Sequence, residues 1–230
     1  MPDVNVSGPD GGFSAYLALP AETPAPAVVV IQEIFGVNEV MRELCDSYAR
    51  AGYVAICPDL FWRIEPGIQI TDKTEEEWQQ AFDLFGKFDV EKGVEDLKAT
   101  LAHVREHEAC NGRAGAVGYC LGGKMAFLMA TRSDSDANVS FYGVGLDELV
   151  GEKDNITKPT LLHIASEDQF VPKDAQEKVK SALSDHPEVE IFVYEGNDHA
   201  FARKGGEHYD EAAAELANKR TMDFFTQHLS

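Results

Sequence analysis

The sequence has no long apolar segment and few cysteines. Its longest apolar runs, such as Ala27 to Ile31, are far shorter than the roughly 20 residues that a membrane-spanning helix needs. The N-terminal stretch has no basic region followed by an apolar run, which a secretory signal would show. We therefore expect a cytoplasmic protein that has no membrane partner.

The sequence also lacks the cysteine and histidine spacings that are typical of metal-binding and redox sites. The four cysteines form no Cys-x-x-Cys pair, and His103 and His107 have no third ligand near them in sequence. Without an export signal, a disulfide framework is not expected either. Two of the cysteines, Cys45 and Cys57, lie in apolar patterns typical of a core, and Cys110 is expected to end a helix. We predict no metal and no cofactor.

Positive charge is scarce, with 20 Lys and Arg against 40 Asp and Glu and a formal net charge of -20. Such a field repels nucleic acid and anionic membranes, so neither is an expected partner. The acidic residues are dispersed along helical segments, which is typical of a solvated surface.

No repeat or linker divides the chain, so we predict a single domain over residues 1–230. The stretch up to Pro20 contains turn signals and predicts a hairpin. Strands and helices then alternate. The predicted strands are residues 27–32, 52–58, 114–119, 138–143, 159–165 and 188–196. The predicted helices follow Asn38 and Thr74, carry a stripe from Val90 to Val104, follow the strand at 114–119, and cover about 173–184 and 207–228. This alternation predicts an α/β fold with a mostly parallel central sheet and helices on both faces.

One glycine-flanked cysteine has the context of a nucleophile. The stretch "VGYCLGG" (117–123) joins a predicted strand to a helix and matches the G-x-nucleophile-x-G elbow. Cys120 would lie at a helix N-terminus, where the helix dipole favours a thiolate. The backbone N–H of Leu121 would then face a developing oxyanion. A buried structural cysteine is the alternative.

An acid and a histidine follow later strands in "HIASEDQFVP" and "YEGNDHAFAR". The order of Cys120, Asp168 and His199 is the chain order of the α/β-hydrolase triad. His199 would take the proton of Cys120, and Asp168 would orient the imidazole. Glu167 competes with Asp168 for the acid role, and the position of the loop favours Asp168.

With these residues in hand, the sequence resembles the dienelactone hydrolase family of α/β hydrolases over nearly its whole length. The matching segments are "IQEIFGVN" (31–38), "ICPDLF" (56–61), "VGYCLGG" (117–123), "FYGVGL" (141–146), "EDQFVP" (167–172) and "DHAFAR" (198–203). The resemblance implies an α/β-hydrolase fold and a cysteine nucleophile, with Cys120, Asp168 and His199 as the triad.

The resemblance assigns further residues. Glu33 matches a glutamate that holds the resting thiol and releases a thiolate when substrate binds, and Ile34 would supply the second oxyanion N–H. A carboxylate left beside a thiolate would repel it, so Glu33 must move or pair elsewhere. Arg203 matches an arginine that holds the substrate carboxylate, and Tyr142 and Phe170 fall in segments expected to bind substrate.

The segment "TEEEWQQAF" (74–82) departs from the family. Enzymes that open dienelactone usually carry a second carboxylate-binding arginine there, but the matching place here is Trp78. Arg63 is the nearest arginine and lies well upstream. Trp78, Phe82 and Phe85 could line a pocket or simply pack against a helix face.

The expected activity is hydrolysis of a small enol-lactone through an acyl-thioester, giving a keto acid such as maleylacetate. The main alternative is a broad-range carboxylesterase that acts on neutral esters with the same triad. A binding protein that keeps the fold without catalysis is a third hypothesis. The expected partner is a small anionic lactone or ester, and the chain would be a monomer or small homo-oligomer.

Overall fold

The structure is a computed structural model that describes residues 3–229. The chain divides into two compact units, one ending at Ala116 and the other beginning at Val117. The single domain over residues 1–230 stays a prediction.

The first unit is built on a hairpin and three further strands. Its elements are β1 (Asp3–Gly8), β2 (Gly11–Ala18), β3 (Ala25–Ile31), α1 (Glu39–Arg50), β4 (Val54–Pro58), α2 (Glu75–Lys87), α3 (Val90–Glu106) and most of β5 (Cys110–Tyr119). The strand order is β1-β2-β4-β3-β5. The β1–β2 and β2–β4 pairs are antiparallel, whereas β3 and β4 are parallel. The predicted hairpin is confirmed.

The second unit continues from the end of β5. Its other elements are α4 (Leu121–Arg132), β6 (Asn138–Phe141), β7 (Thr160–Ala165), α5 (Lys173–Leu183), β8 (Val189–Tyr194) and α6 (Glu211–Leu229). The strand order is β5-β6-β7-β8, with β6–β7 and β7–β8 parallel. Strands that are buried on both faces carry near-continuous apolar runs, which is why β3 and β6 are wholly or almost wholly buried. The predicted α/β fold with a mostly parallel sheet and helices is confirmed.

Helix ends follow local capping chemistry. The side chains of Asn38 and Thr74 accept hydrogen bonds from Met41 N and Glu77 N, each at 3.2 Å, so α1 and α2 begin where the sequence predicts. The last helix begins at Glu211 and not near residue 207, because the carboxylate of Asp210 accepts from the N–H three residues on, at 2.8 Å.

Cys110 does not end a helix, so that prediction is wrong. Helix α3 ends at Glu106, and Cys110 is the first residue of β5. The imidazole of His107 accepts a hydrogen bond from Ala109 N at 3.1 Å, which closes a turn between the two elements. Within residues 3–229, no helix combines the length and apolar character that crossing a membrane requires.

Candidate active site

Cys120 lies at a sharp turn between β5 and α4. Its φ of 58° and ψ of -115° place a non-glycine residue in a strained part of backbone space. The turn is held on both sides, since Cys120 N donates to Phe141 O at 3.1 Å and Lys124 N donates to Cys120 O at 3.2 Å. The thiol therefore sits at the N-terminus of α4, where the unpaired N–H groups favour negative charge.

The glycines around the cysteine are required by close backbone approach. A Cβ on Gly118 would lie 1.8 Å from Gly122 O, and a Cβ on Gly123 would lie 2.6 Å from Phe141 O. Both distances are far below any real carbon–oxygen contact, and both neighbours are backbone atoms that cannot rotate away. The motif thus sets the turn that presents Cys120.

Asp168 and His199 form a buried hydrogen-bonded pair. Nδ1 of His199 is 2.8 Å from Oδ2 of Asp168 and 3.0 Å from Oδ1. The same Oδ1 accepts from the N–H groups of Phe170 at 2.8 Å and Val171 at 3.1 Å, so the carboxylate is fixed by its own loop. The competing acid, Glu167, is exposed and pairs with Lys173. The histidine thus contacts Asp168 and not Glu167.

The charge of His199 is coupled to that of Cys120. Burial by itself would lower the pKa of His199, but a Cys120 thiolate beside the ring and the hydrogen-bonded Asp168 raise this pKa to about 10. While Cys120 is a thiolate, His199 therefore keeps its proton at neutral pH.

Two aromatic side chains fix the plane of the imidazole. The rings of Tyr142 and Phe170 lie 5.1 Å and 4.9 Å from the His199 ring, both in edge-to-face geometry. Tyr142 has a φ of 38° and is almost fully buried, and it packs against the buried ring of Phe201. Phe170 is 40% exposed, so it can contact a molecule from solvent. Sequence reasoning did not single out Phe201, although it lies in the "DHAFAR" segment.

Arg203 lies in the same unit as Cys120, Asp168 and His199. Its N–H donates to Ala200 O at 2.9 Å, which closes a turn directly after His199. Only 9% of Arg203 is exposed, unusual for a residue that always carries a charge. Arg203 is therefore a buried charged residue on the loop that carries His199.

In the first unit, Glu33 and Ile34 follow β3 and are buried, with 4% and 5% exposure. Hydrogen bonds hold the loop on which they lie. Gln32 Oε1 accepts from Leu60 N at 3.0 Å, and Asn38 Nδ2 donates to Ile70 O at 2.8 Å. Sequence reasoning missed the role of Gln32, because a glutamine at a strand end carries no local signal of its distant partner.

Trp78 belongs to an aromatic cluster of the first unit. Its ring packs edge-on to Phe35 at 5.1 Å and stacks with Phe82 at 5.5 Å, while its N–H donates to Asp72 O at 3.1 Å. Phe82 is 48% exposed and Phe85 is 40% exposed. Trp78 is therefore anchored, whereas the two phenylalanines offer apolar surface to solvent.

Arg63 is engaged in a structural network. Its guanidinium pairs with the fully buried Asp96 and with Asp10, the latter at 3.0 Å, and it lies over the Trp62 ring at 4.3 Å from the centroid. Asp96 also accepts from Trp62 Nε1 at 2.9 Å. Two carboxylates and an aromatic ring therefore hold the Arg63 guanidinium in place.

A sequence profile described as "Dienelactone hydrolase family" matches residues 13–229. The chain belongs to the dienelactone hydrolase family. It is accordingly an enzyme that hydrolyses ester or lactone bonds.

Individual members of the dienelactone hydrolase family resemble the chain over its full length. A protein of Azospirillum brasilense, provisionally named a carboxymethylenebutenolidase, is 57% identical over 100% of both chains. A carboxymethylenebutenolidase of Pseudomonas putida is 39% identical over 96% of this chain and 94% of its own. The crystal structure of a provisionally named dienelactone hydrolase from Klebsiella pneumoniae is 28% identical and superposes with a TM-score of 0.87, covering 99% of this chain and 98% of its own.

Proposed function

We propose that the protein opens a small enol-lactone of the dienelactone type and releases an open-chain keto acid such as maleylacetate. The observation that carries the proposal is the buried contact of 2.8 Å between His199 Nδ1 and Asp168, in the same unit as Cys120, which lies on a strained turn at the start of α4. An acid, a base and a nucleophile of these kinds are the groups that an acyl-transfer reaction requires.

In the first step, Nε2 of His199 takes the proton of the Cys120 thiol, and the thiolate sulfur attacks the lactone carbonyl carbon. The negative charge moves to the carbonyl oxygen, where the N–H of Leu121 stabilises it. When the carbonyl re-forms, the ring C–O bond breaks and the enolate leaves, still attached to the acyl group. It takes the proton from Nε2 of His199 and becomes an enol, which returns His199 to its neutral form. An enolate is a good leaving group because its charge is delocalised, so it needs little help from an acid.

In the second step, His199 removes a proton from water, and the resulting hydroxide attacks the Cys120 thioester. The C–S bond breaks, the thiol regains its proton from His199, and the enol product becomes a keto acid. Asp168 accepts a hydrogen bond from Nδ1–H of His199, so that Nε2 accepts and donates the proton in turn. The chemistry needs no cofactor.

The remaining roles rest on the family resemblance. Glu33 would hold the resting thiol, and Ile34 would donate the second oxyanion hydrogen bond. Arg203 would bind the substrate carboxylate, a role that its burial on the histidine loop supports. Tyr142 and Phe170 would contact the substrate ring, since both pack against His199.

A carboxylesterase that accepts neutral esters is the second candidate. The observation that favours it is that the nearest arginine, Arg63, is paired with Asp96 and Asp10. The family resemblance also implies that Trp78 stands at the place of the second arginine. Under this alternative, Phe82 and Phe85 would bind the apolar part of the ester through their exposed faces.

The test is the turnover of cis- and trans-dienelactone and of a neutral aryl acetate, by wild type and by Cys120→Ala. Cys110→Ala is the matched control, because it removes a thiol outside the triad. We expect rapid lactone turnover that is lost only in Cys120→Ala. Arg203→Met should raise KM by about 10- to 100-fold for the lactone and leave the acetate unaffected. Turnover of the acetate alone would overturn the lactone proposal and favour the esterase.

The proposal includes the cellular setting expected for such an enzyme. It would act in the cytoplasm as a monomer or small homo-oligomer, on a small anionic lactone or ester.

A further inference from the structure

Asp198, the residue before His199, joins the two loops that carry the acid and the base. Its Oδ1 accepts a hydrogen bond from His199 N at 2.6 Å and another from Gln169 N at 2.9 Å. Gln169 is the residue after Asp168. One carboxylate oxygen of Asp198 therefore binds a backbone N–H on each of the two loops, at His199 and at the residue after Asp168.

The backbone here requires such a restraint. Ala200, directly after His199, has a φ of 62°, in the left-handed region that a residue with a Cβ rarely adopts. A strained residue beside the base stays in place only if its neighbours are fixed. The loops also meet through Glu167 N, which donates to Asn197 O at 2.8 Å, but Asn197 is two residues from His199, whereas Asp198 is adjacent to it.

We propose that Asp198 is a positioning residue, which sets the distance between Asp168 and His199 through hydrogen bonds accepted by one oxygen. The inference rests on the proposed function and adds a residue to its machinery that does not touch the reacting atoms. Its side chain is 27% exposed, so water could replace the lost bonds without unfolding the chain.

The charge of Asp198 offers a competing explanation. Its other oxygen lies 3.7 Å from His208 Nδ1 and 3.4 Å from Gln169 Nε2, and its negative charge also acts on Glu167. If charge were what mattered, any carboxylate at this position would serve. If the placement of Oδ1 matters, a neutral side chain of the same shape should keep His199 in place equally well.

Two substitutions separate these explanations. Asp198→Asn keeps an oxygen in the same place and removes the charge, whereas Asp198→Glu keeps the charge and moves the oxygen by one methylene. We expect Asp198→Asn to retain kcat within about threefold. Asp198→Glu and Asp198→Ala should lower kcat by about 10- to 100-fold with little change in KM, because a small displacement of the base slows chemistry more than binding.

The matched control is Asp89→Ala. Asp89 is an exposed residue whose carboxylate also accepts a hydrogen bond from a backbone N–H, that of Lys92 at 3.1 Å. It differs from Asp198 in that it caps helix α3. Its substitution removes the same charge and a similar bond, and kcat should not change. Should Asp198→Ala fail to fold, the comparison of Asp198→Asn with Asp198→Glu still decides the question.

A second measurement does not depend on the substrate. The rate of alkylation of Cys120 by iodoacetamide reports how well His199 is placed to take its proton, and Cys110 in the same digest is the internal reference. We expect Asp198→Glu to slow alkylation of Cys120 and Asp198→Asn to leave it near the wild-type rate. The reverse order, or equal rates in all variants, would overturn the inference. Absence of lactone and ester turnover by wild type would instead overturn the proposed function.

Discussion

Asp168→Asn is the substitution whose effect the structure predicts in most detail. Oδ1 of Asp168 accepts from Phe170 N at 2.8 Å and Val171 N at 3.1 Å, and an asparagine carbonyl can accept both bonds. Oδ2, which lies 2.8 Å from His199 Nδ1, would become an NH₂ group. Two donors would then face each other in a buried place, which is unfavourable.

The imidazole relieves this conflict by changing tautomer, so that Nδ1 accepts and Nε2 carries the proton. His199 can then no longer take the proton of Cys120. The equivalent change in a serine triad lowers kcat by about 10⁴-fold, which corresponds to about 5 kcal/mol of lost transition-state stabilisation. We expect a loss of about 10³- to 10⁴-fold in kcat, with an unfolding midpoint close to that of wild type.

The assay is steady-state hydrolysis of whichever ester or lactone the wild type turns over, with thermal unfolding measured on the same samples. The matched control is Glu167→Gln, which neutralises the adjacent exposed acid and should keep kcat within about twofold. If Asp168→Asn retained a tenth or more of the wild-type kcat, Asp168 would not be the residue that orients His199. A greater loss in Glu167→Gln would move that role to Glu167.

Three further predictions concern stability. Gly118→Ala places a Cβ 1.8 Å from a backbone carbonyl oxygen and should lower the free energy of unfolding by about 3 kcal/mol or more. Gly86→Ala, in α2, places a Cβ that meets no atom within 4 Å and should raise the free energy of unfolding by about 0.5–1 kcal/mol. Urea unfolding measures both. Burial, and then the charge of Arg220, lower the pKa of His163 to about 3, so the folded state binds fewer protons and stability falls as pH drops from about 6.5 towards 3. Between pH 7 and 4.5 this loss should be about 2–3 kcal/mol larger in wild type than in His163→Gln, and equal losses would contradict it. Arg63→Met leaves the buried Asp96 without its ion pair and should cost about 3 kcal/mol in urea unfolding, with KM for an anionic lactone unchanged; a raised KM would give Arg63 a substrate role.

The fold could be predicted well because its signals are local. The buried strands have continuous apolar runs, and helix starts such as Asn38 and Thr74 carry their capping partner three residues on. Errors arose where the outcome depends on a single turn. His107 caps a turn that leads into a strand, so Cys110 opens β5, a choice that the apolar pattern cannot resolve.

The candidate site could be predicted only in part. A triad has a motif and a chain order, so Cys120, Asp168 and His199 stand out in the sequence. Asp198 has no such signal, since an acid before a histidine in a loop usually indicates a solvated turn. Its partner Gln169 lies 29 positions away, and only the folded chain brings that N–H to the carboxylate. The ion pairs of Arg63 likewise involve acids that are far from it in the sequence, Asp10 and Asp96.

The most direct test of the account is the mass of the covalent intermediate on Cys120. Wild-type enzyme would be mixed with excess trans-dienelactone, quenched in acid within one turnover, digested and analysed by mass spectrometry. Opening a lactone keeps the leaving enolate attached, so the account predicts that the Cys120 peptide gains the mass of one whole lactone, an adduct absent from Cys120→Ala. Undiminished turnover by Cys120→Ala, or an adduct on another residue, would contradict it.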